Sequence, residues 1–321
     1  MAIPPVGVSA ARMGWHWQWL QLMGGLGPAD EAGNYTRPAG RFTQKPPLPG
    51  NAGEARSHVL IVGRSCPWAH RAWLVWQLRQ LQSSVELLVV EPDPAAGRWR
   101  FAEPFLGCST LQELYRRSGA PASLRATVPV LVERSSGRVV VGESARLMEL
   151  LNEWPAPAGS PDLAPAPLQE QIQHWRERLQ GAVNDGVYRC GFARNQAAYD
   201  RAEAELFETL AELEASLSPQ GAGPWLCGDN LTLADVQLFP TLIRLELVYA
   251  PLFGVSRRPL WQLPALWRWR QRFFALPGVQ DSCCDQAWRE DYFGALFPLH
   301  PSGIVPAGPG LATLVQAQLQ P

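Results

Sequence analysis

An α/β domain with helices layered on a mixed sheet, followed by an all-helical domain, is the fold class that the sequence predicts. Three observations carry it. Short apolar runs at 59–62, 85–90, 128–132 and 139–141 occur in the first half, interleaved with stretches of helical spacing. Five prolines, Pro155, Pro157, Pro161, Pro165 and Pro167, then interrupt any helix or ladder and mark a linker. Beyond them only helical spacing continues, over 168–189, 195–217, 233–249 and 260–276.

Residues 1–56 are rich in Pro, Gly and aromatics (Trp15, Trp17, Trp19, Tyr35, Phe42) without a sustained period, which predicts an extension draped over the body and anchored by those rings. The domain proper begins at 57. Val59-Leu60-Ile61-Val62 meets a break at Ser65-Cys66-Pro67, after which Ala69, Ala72, Trp73 and Trp76 recur at helical spacing. A second apolar run follows at 85–90, close enough for a β-α-β unit with a parallel pair. Val128-Pro129-Val130-Leu131-Val132, a turn at Ser135-Ser136-Gly137, and Val139-Val140-Val141 read as a hairpin, and Glu143-Ser144 opens an amphipathic helix with Leu147, Leu150 and Leu151. The order β-α-β, connection, β-β-α is that of a thioredoxin-like domain over 57–154, with a linker at 155–167, a helical domain at 168–300 and a tail at 301–321. In the helical half, Thr232 and Asp235 are spaced to cap a helix reciprocally, and Pro240 lies inside that helix, where it should kink it.

Composition narrows the function classes. The 321 residues are 46% hydrophobic and 18% charged, which excludes disordered and fibrous chains. A net charge of -1 removes any bulk electrostatic case for nucleic acid or an anionic membrane. Lys45 is the sole lysine, so the arginine count reflects composition rather than anion sites. The uncharged stretch 13–29 contains His16, Gln18, Gln21 and Gly24-Gly25, and fits neither a membrane span nor a secretory signal. Six cysteines lack repeated Cys-x-x-Cys spacing and five histidines show no ligand spacing, so neither a disulfide framework nor a metal is expected. A reducing, cytoplasmic setting fits, and Cys108, Cys190, Cys227, Cys283 and Cys284 are expected to pack in the core.

Cys66-Pro67-Trp68-Ala69 places a thiol where a strand passes into a helix, and there unpaired amides and the helix dipole favour a thiolate. Ala69 occupies the position at which a second cysteine would complete a dithiol, so a disulfide formed at Cys66 needs an outside thiol to resolve it. Val128-Pro129 stands about sixty residues later, where a cis peptide beside the thiol would leave the Val128 backbone free for an extended peptide ligand. Glu143-Ser144 at a helix start suits the α-amino acid end of a γ-glutamyl peptide. Taken singly, each has an ordinary structural reading: a small buried residue, an edge-strand proline, an N-terminal cap.

In this order the three elements resemble the N-terminal domain of glutathione transferases. Cys66-Pro67-Trp68-Ala69-His70-Arg71, Gly97-x-Trp99-x-Phe101, Thr127-Val128-Pro129-Val130-Leu131, Glu143-Ser144, Asn184-x-Gly186-Val187-Tyr188-x-x-Gly191-Phe192-Ala193 and Pro301-Ser302-Gly303-Ile304-Val305-Pro306 resemble the glutathionyl-hydroquinone reductases, or Xi-class glutathione transferases, from about His58 to Gly308. The resemblance implies glutathione as co-substrate, a homodimer and an aromatic hydroquinone conjugate as partner. It implies Cys66 as nucleophile, and Trp99, Arg125, Ala126, Thr127, Val128, Glu143 and Ser144 around glutathione. Tyr188, Tyr249 and Tyr292 would line the acceptor site, with Tyr188 first and Tyr292 next as proton donor. Departures fall at the lead-in Asn34-Tyr35-Thr36-Arg37-Pro38, at a shortened stretch between Trp99 and Pro129, at Gly142 in place of Asn, at Pro240, and at Asp291-Tyr292-Phe293-Gly294-Ala295-Leu296 in place of His-Tyr-Tyr-x-Ser-His. Two alternatives stay open: an omega-like thiol transferase or dehydroascorbate reductase, and a non-catalytic binding module of the same fold.

Overall fold

Pro4 and Pro5 start a 22-residue helix, α1 (Pro5–Leu26), with proline at the position where a missing N–H costs nothing. The computed structural model that shows it describes residues 4–38, 40–50, 56–93, 96–221, 223–296 and 298–316. This helix corrects the reading of an unperiodic extension. Apolar residues run all round it and Met23 is its one buried side chain, so no stripe emerges in the sequence. Trp15 and Trp17 are 49% and 63% exposed and anchor nothing. Trp19, partly buried against the core with Arg194 5.6 Å over its ring, does anchor the helix, and further anchoring comes from Tyr35 edge-on to Phe192 at 5.3 Å and Phe42 edge-on to Tyr115 at 5.1 Å.

A six-stranded mixed sheet follows, in the order β4-β3-β2-β1-β5-β6. β1 (His58–Gly63) is buried at every position, as expected of a central strand with a continuous apolar run. It leads into α2 (Pro67–Leu78) and pairs in parallel with β2 (Val85–Asp93), closing the β-α-β unit. β3 (Arg98–Phe105), β4 (Cys108–Thr110) and α3 (Leu111–Arg117) fill what the sequence shows only as a connection. The Thr110 and Glu113 side chains cap α3 reciprocally. β5 (Val130–Glu133) and β6 (Arg138–Val141) form the hairpin, with β5 antiparallel to β1, and α4 (Ser144–Glu153) packs beside α2.

The Pro-rich stretch is pinned: Asn152 Oδ1 accepts from the Leu163 N–H at 2.9 Å, and the Leu163 carbonyl accepts from the Leu233 N–H at 2.8 Å. The helical half contains α5 (Gln169–Leu179), α6 (Gly186–Gly191), α7 (Gln196–Ser216), α8 (Leu233–Leu242), α9 (Ala250–Phe253), α10 (Pro264–Phe274), α11 (Asp285–Ala295) and α12 (Leu311–Gln316). α11 and α12 lie beyond the four helical stretches that the spacing suggests. Wide π-helical turns at Gln180–Asn184 and Leu245–Tyr249 break two of those four stretches. At the second, regular α-helix stops two residues after Pro240, which cannot donate to the carbonyl four residues back. Among the described residues, Leu233–Phe253 is the one helical span long and apolar enough to cross a membrane, and 83% of that window is buried inside the fold.

Candidate active site in the groove between the domains

Cys66 occupies the N-cap of α2, with its carbonyl accepting from the His70 N–H at 3.0 Å. Its sulfur lies 3.4 Å from the Val128 carbonyl, the residue before the cis peptide Val128-Pro129. The thiolate expected from the helix start is not what the surroundings of Cys66 favour. Burial pushes the Cys66 thiol up from its ordinary value, against the amides of Ala69 and Trp68 and the charges of Arg244 and Arg37. The sulfur therefore rests as a thiol donating to Val128.

The segment before Pro129 is held from behind by α3. Tyr115 Oη donates to the Thr127 carbonyl at 2.7 Å and accepts from the Thr127 N–H at 3.2 Å, and Gln112 binds the Leu124 carbonyl and the Ala126 N–H. Arg125 and Thr127 face outward, whereas Ala126 and Val128 are buried. Trp99 on β3 lies over the end of β1, so a Cβ at Gly63 would fall 2.7 Å from the indole and only glycine fits there. Glu143 is the N-cap of α4, its Oε1 accepting from the Ala145 N–H at 3.2 Å and from Ser144 Oγ at 3.4 Å. Both residues of the pair stand at the helix start that the sequence implies.

The lead-in crosses the same groove. Arg194 N–H and Asn195 Nδ2 fasten it to the helical half through the carbonyls of Gly33 and Ala32, and the Phe42 carbonyl accepts from the Gly142 N–H on the sheet side. Between these fastenings the Arg37 guanidinium lies 3.4 Å over the Trp68 ring and pairs with Asp185 at 3.3 Å. Gln180 joins Asp185 to the buried Arg71, whose burial pulls it down to about 9 and whose Nη2 has no partner among the described residues. Sequence reasoning missed Tyr115, Gln112, Arg37, Gln180 and Asp185. The Tyr35-Thr36-Arg37 pattern carries a signal, an aromatic beside a cation.

The three tyrosines meet. Tyr188 Oη is hydrogen bonded to Tyr292 Oη, which lies 3.4 Å from Tyr249 Oη. Phe253 packs against all three rings at 5.4–6.1 Å, and Trp68 connects them to the Cys66 turn at 5.9 Å from Tyr188. Burial raises all three phenols, Tyr188 and Tyr292 well above the usual range, and their mutual proximity adds to this for Tyr188 and Tyr292. They are neutral proton carriers over the physiological range. Six cysteines are unpaired, and among the described residues no three His, Cys, Asp or Glu side chains cluster as a metal site would require.

A sheet domain with a cysteine where its first strand passes into a helix, followed by a helical domain that roofs it with tyrosines, is the build of a glutathione transferase. Residues 65–154 match the glutathione S-transferase N-terminal domain and residues 196–272 the C-terminal domain. The chain is 32% identical over 268 residues to the glutathionyl-hydroquinone reductase YqjG of Escherichia coli, covering 80% of each, and 31% identical to the glutathionyl-hydroquinone reductase PcpF of Sphingobium chlorophenolicum, covering 81% of this chain and 85% of that one. Among solved structures, the glutathione S-transferase Xi of Phanerochaete chrysosporium superposes with a TM-score of 0.81 at 30% identity, covering 88% of this chain and 94% of that one. The glutathione-bound structure of YqjG gives 0.73 at 32% identity, covering 80% and 86%. The chain belongs to the glutathionyl-hydroquinone reductases, the Xi-class glutathione transferases.

Proposed function

We propose that the protein reduces glutathionyl-hydroquinones with glutathione, through one cysteine and a mixed disulfide. The carrying observation is the juxtaposition of a lone thiol, with alanine at the position of a resolving cysteine, and a tyrosine cluster kept protonated by burial. Glutathione lies along the Val128 backbone, its γ-glutamyl end toward Glu143-Ser144, with Trp99 and the 125–127 segment around it.

Cys66, as thiolate, attacks the sulfur of the conjugate. The sulfur–carbon bond breaks, its electron pair leaves on the ring carbon, and Tyr188 or Tyr292 delivers a proton to that carbon. Free hydroquinone departs, and Cys66 is left disulfide-bonded to glutathione. A second glutathione thiolate attacks this disulfide, releasing glutathione disulfide and the Cys66 thiolate, while the tyrosine recovers its proton from the incoming thiol through the cluster. Two glutathionyl sulfurs are oxidised and one aryl carbon is reduced, so the electrons balance without a metal.

The same proposal includes a homodimer, a cytoplasmic location and the domain division at 57–154, 155–167 and 168–300. Unpaired cysteines throughout support the reducing compartment.

The test is turnover of a glutathionyl-hydroquinone with glutathione, wild type against Cys66→Ser. Loss of at least about a thousand-fold in kcat/KM is expected, together with a trapped glutathione adduct on Cys66 in the wild type. Retained turnover in the variant would reassign the nucleophile. Wild-type turnover confined to disulfides or dehydroascorbate would move the protein to an omega-like activity.

A further inference from the structure

We propose that Arg244 is the counter-cation for the Cys66 thiolate, a positioning residue that acts on the nucleophile from beneath the groove. The proposal rests on the reading of Cys66 as nucleophile and adds to it how a buried sulfur is brought to ionise.

Arg244 is fully buried just past the end of α8. Its Nη1 donates to His70 Nδ1 and to the Pro240 carbonyl, both at 2.9 Å, while Nε and Nη2 find no hydrogen-bond partner among the described residues. Nor does any carboxylate among the described residues pair with it. Arg270, equally buried in the same helical half, has Glu246 at 2.6 Å. A buried cation is ordinarily paired, so an unpaired one with donors to spare marks a place where negative charge forms.

The neighbours identify where. A guanidinium only donates, so His70 Nδ1 accepts from Arg244 and its Nε2–H points to Ser282 Oγ at 2.8 Å, which in turn donates to the Val279 carbonyl. Burial first, and then Arg244, keep His70 neutral. His70 N–H is bonded to the Cys66 carbonyl, and the Trp288 ring, 3.9 Å from the Arg244 guanidinium, donates through Nε1 to the Arg64 carbonyl at 3.0 Å. Arg244 thus packs on the side chains of two residues that bond the chain on either side of the sulfur, His70 through its backbone N–H and Trp288 through its indole N–H.

Besides His70, the titratable groups facing Arg244 are Tyr249, Tyr292, Cys283, Cys284 and Cys66. Burial raises the two tyrosines, holds Cys283 up at about 12 and raises Cys284. Cys66 has the helix-start amides of Ala69 and Trp68 bonded to its sulfur and a second cation, Arg37, to favour its anion. Cys284, the N-cap of α11, also has a second cation, Arg64, but burial is the largest influence on it and it stands outside the tyrosine-lined groove that Cys66 shares with Tyr188 and Tyr249. Tyr188 and Tyr249 face Cys66 as neutral phenols, and Asp291 reaches its side through a hydrogen bond to Ser65. Ionisation at the sulfur relieves the unpaired guanidinium and the thiol in one step.

The experiment is the pH dependence of Cys66 alkylation by iodoacetamide, read by mass spectrometry on the peptide that carries it, in wild type, Arg244→Met and Arg244→Lys. R244M is expected to move the midpoint up by about one unit, which is about ten-fold slower alkylation below the midpoint, with the high-pH plateau unchanged. R244K is expected to return the rate to within about three-fold of wild type, because it restores the charge. A midpoint in R244M equal to that of wild type overturns the proposal, as does a lower plateau at constant midpoint, the mark of a purely structural role. If R244M does not fold, Arg244→Gln, which keeps a donor to His70 without charge, carries the same expectation. If neither neutral variant folds, the R244K midpoint decides, retention supporting the proposal and displacement overturning it. A wild-type Cys66 that is not alkylated along any titration curve would instead remove the nucleophile itself, a failure distinct from that of Arg244.

Discussion

α8 carries a buried charge near each end, and the two are treated in opposite ways. At its start, the Asp235 carboxylate accepts from Thr232 N–H, Thr232 Oγ1, Leu226 N–H and Trp269 Nε1 at 2.9–3.1 Å, all within the helical half. Just past its other end, Arg244 keeps unpartnered donors and faces side chains around the nucleophile. A saturated buried charge ties elements together and has nothing left for chemistry. An unsaturated one costs stability and is worth keeping only where charge is to form.

The largest expected effect breaks the saturated end. Asp235→Ala strands three buried N–H donors and should lower folding stability by about 3–5 kcal/mol, read by urea unfolding, with normal activity per folded molecule. The pH dependence sharpens this. Burial pushes the Asp235 carboxyl up from 3.8 to about 6, so between those values the folded chain keeps a proton that the unfolded chain has released. Its contribution to stability is complete below that window and falls as pH rises through it. Asp235→Asn should flatten the stability curve there.

Next in size is the tyrosine cluster on the catalytic side of the comparison. Tyr188→Phe or Tyr292→Phe should slow hydroquinone reduction about a hundred-fold while sparing disulfide exchange, which needs no proton on carbon, and should leave unfolding almost unchanged. Equal loss of both activities in a folded variant would argue against the acid role. The smallest effect belongs to a charge of neither kind: Glu212→Ala breaks a surface pair with Arg178 at 2.7 Å and should cost less than about 1 kcal/mol with no change in turnover.

Several features of the site are legible locally. The Cys66-Pro67 turn follows from an apolar run meeting a helix-compatible spacing, and the Glu143 cap and the Thr232–Asp235 pair follow from hydrogen bonds reaching no more than three residues along the chain. α1 was illegible for the opposite reason. Its apolar residues surround the helix instead of forming a stripe, so the usual period carries no information. The π-helical turn at Leu245–Tyr249 escaped because Pro240 announces a break without saying how the chain resumes.

By itself the sequence determined the two-domain order, the place of the thiol and the tyrosines available to serve it, because propensity, capping and periodicity act within a turn or two of the chain. Only the tertiary structure decided that Tyr188 would share a hydrogen bond with a residue 104 positions away, that Arg37 would lie on Trp68, and that burial would outweigh the helix amides at Cys66. Those outcomes depend on which groups water can no longer reach, and solvent exclusion is a property of the packed whole that no local pattern encodes.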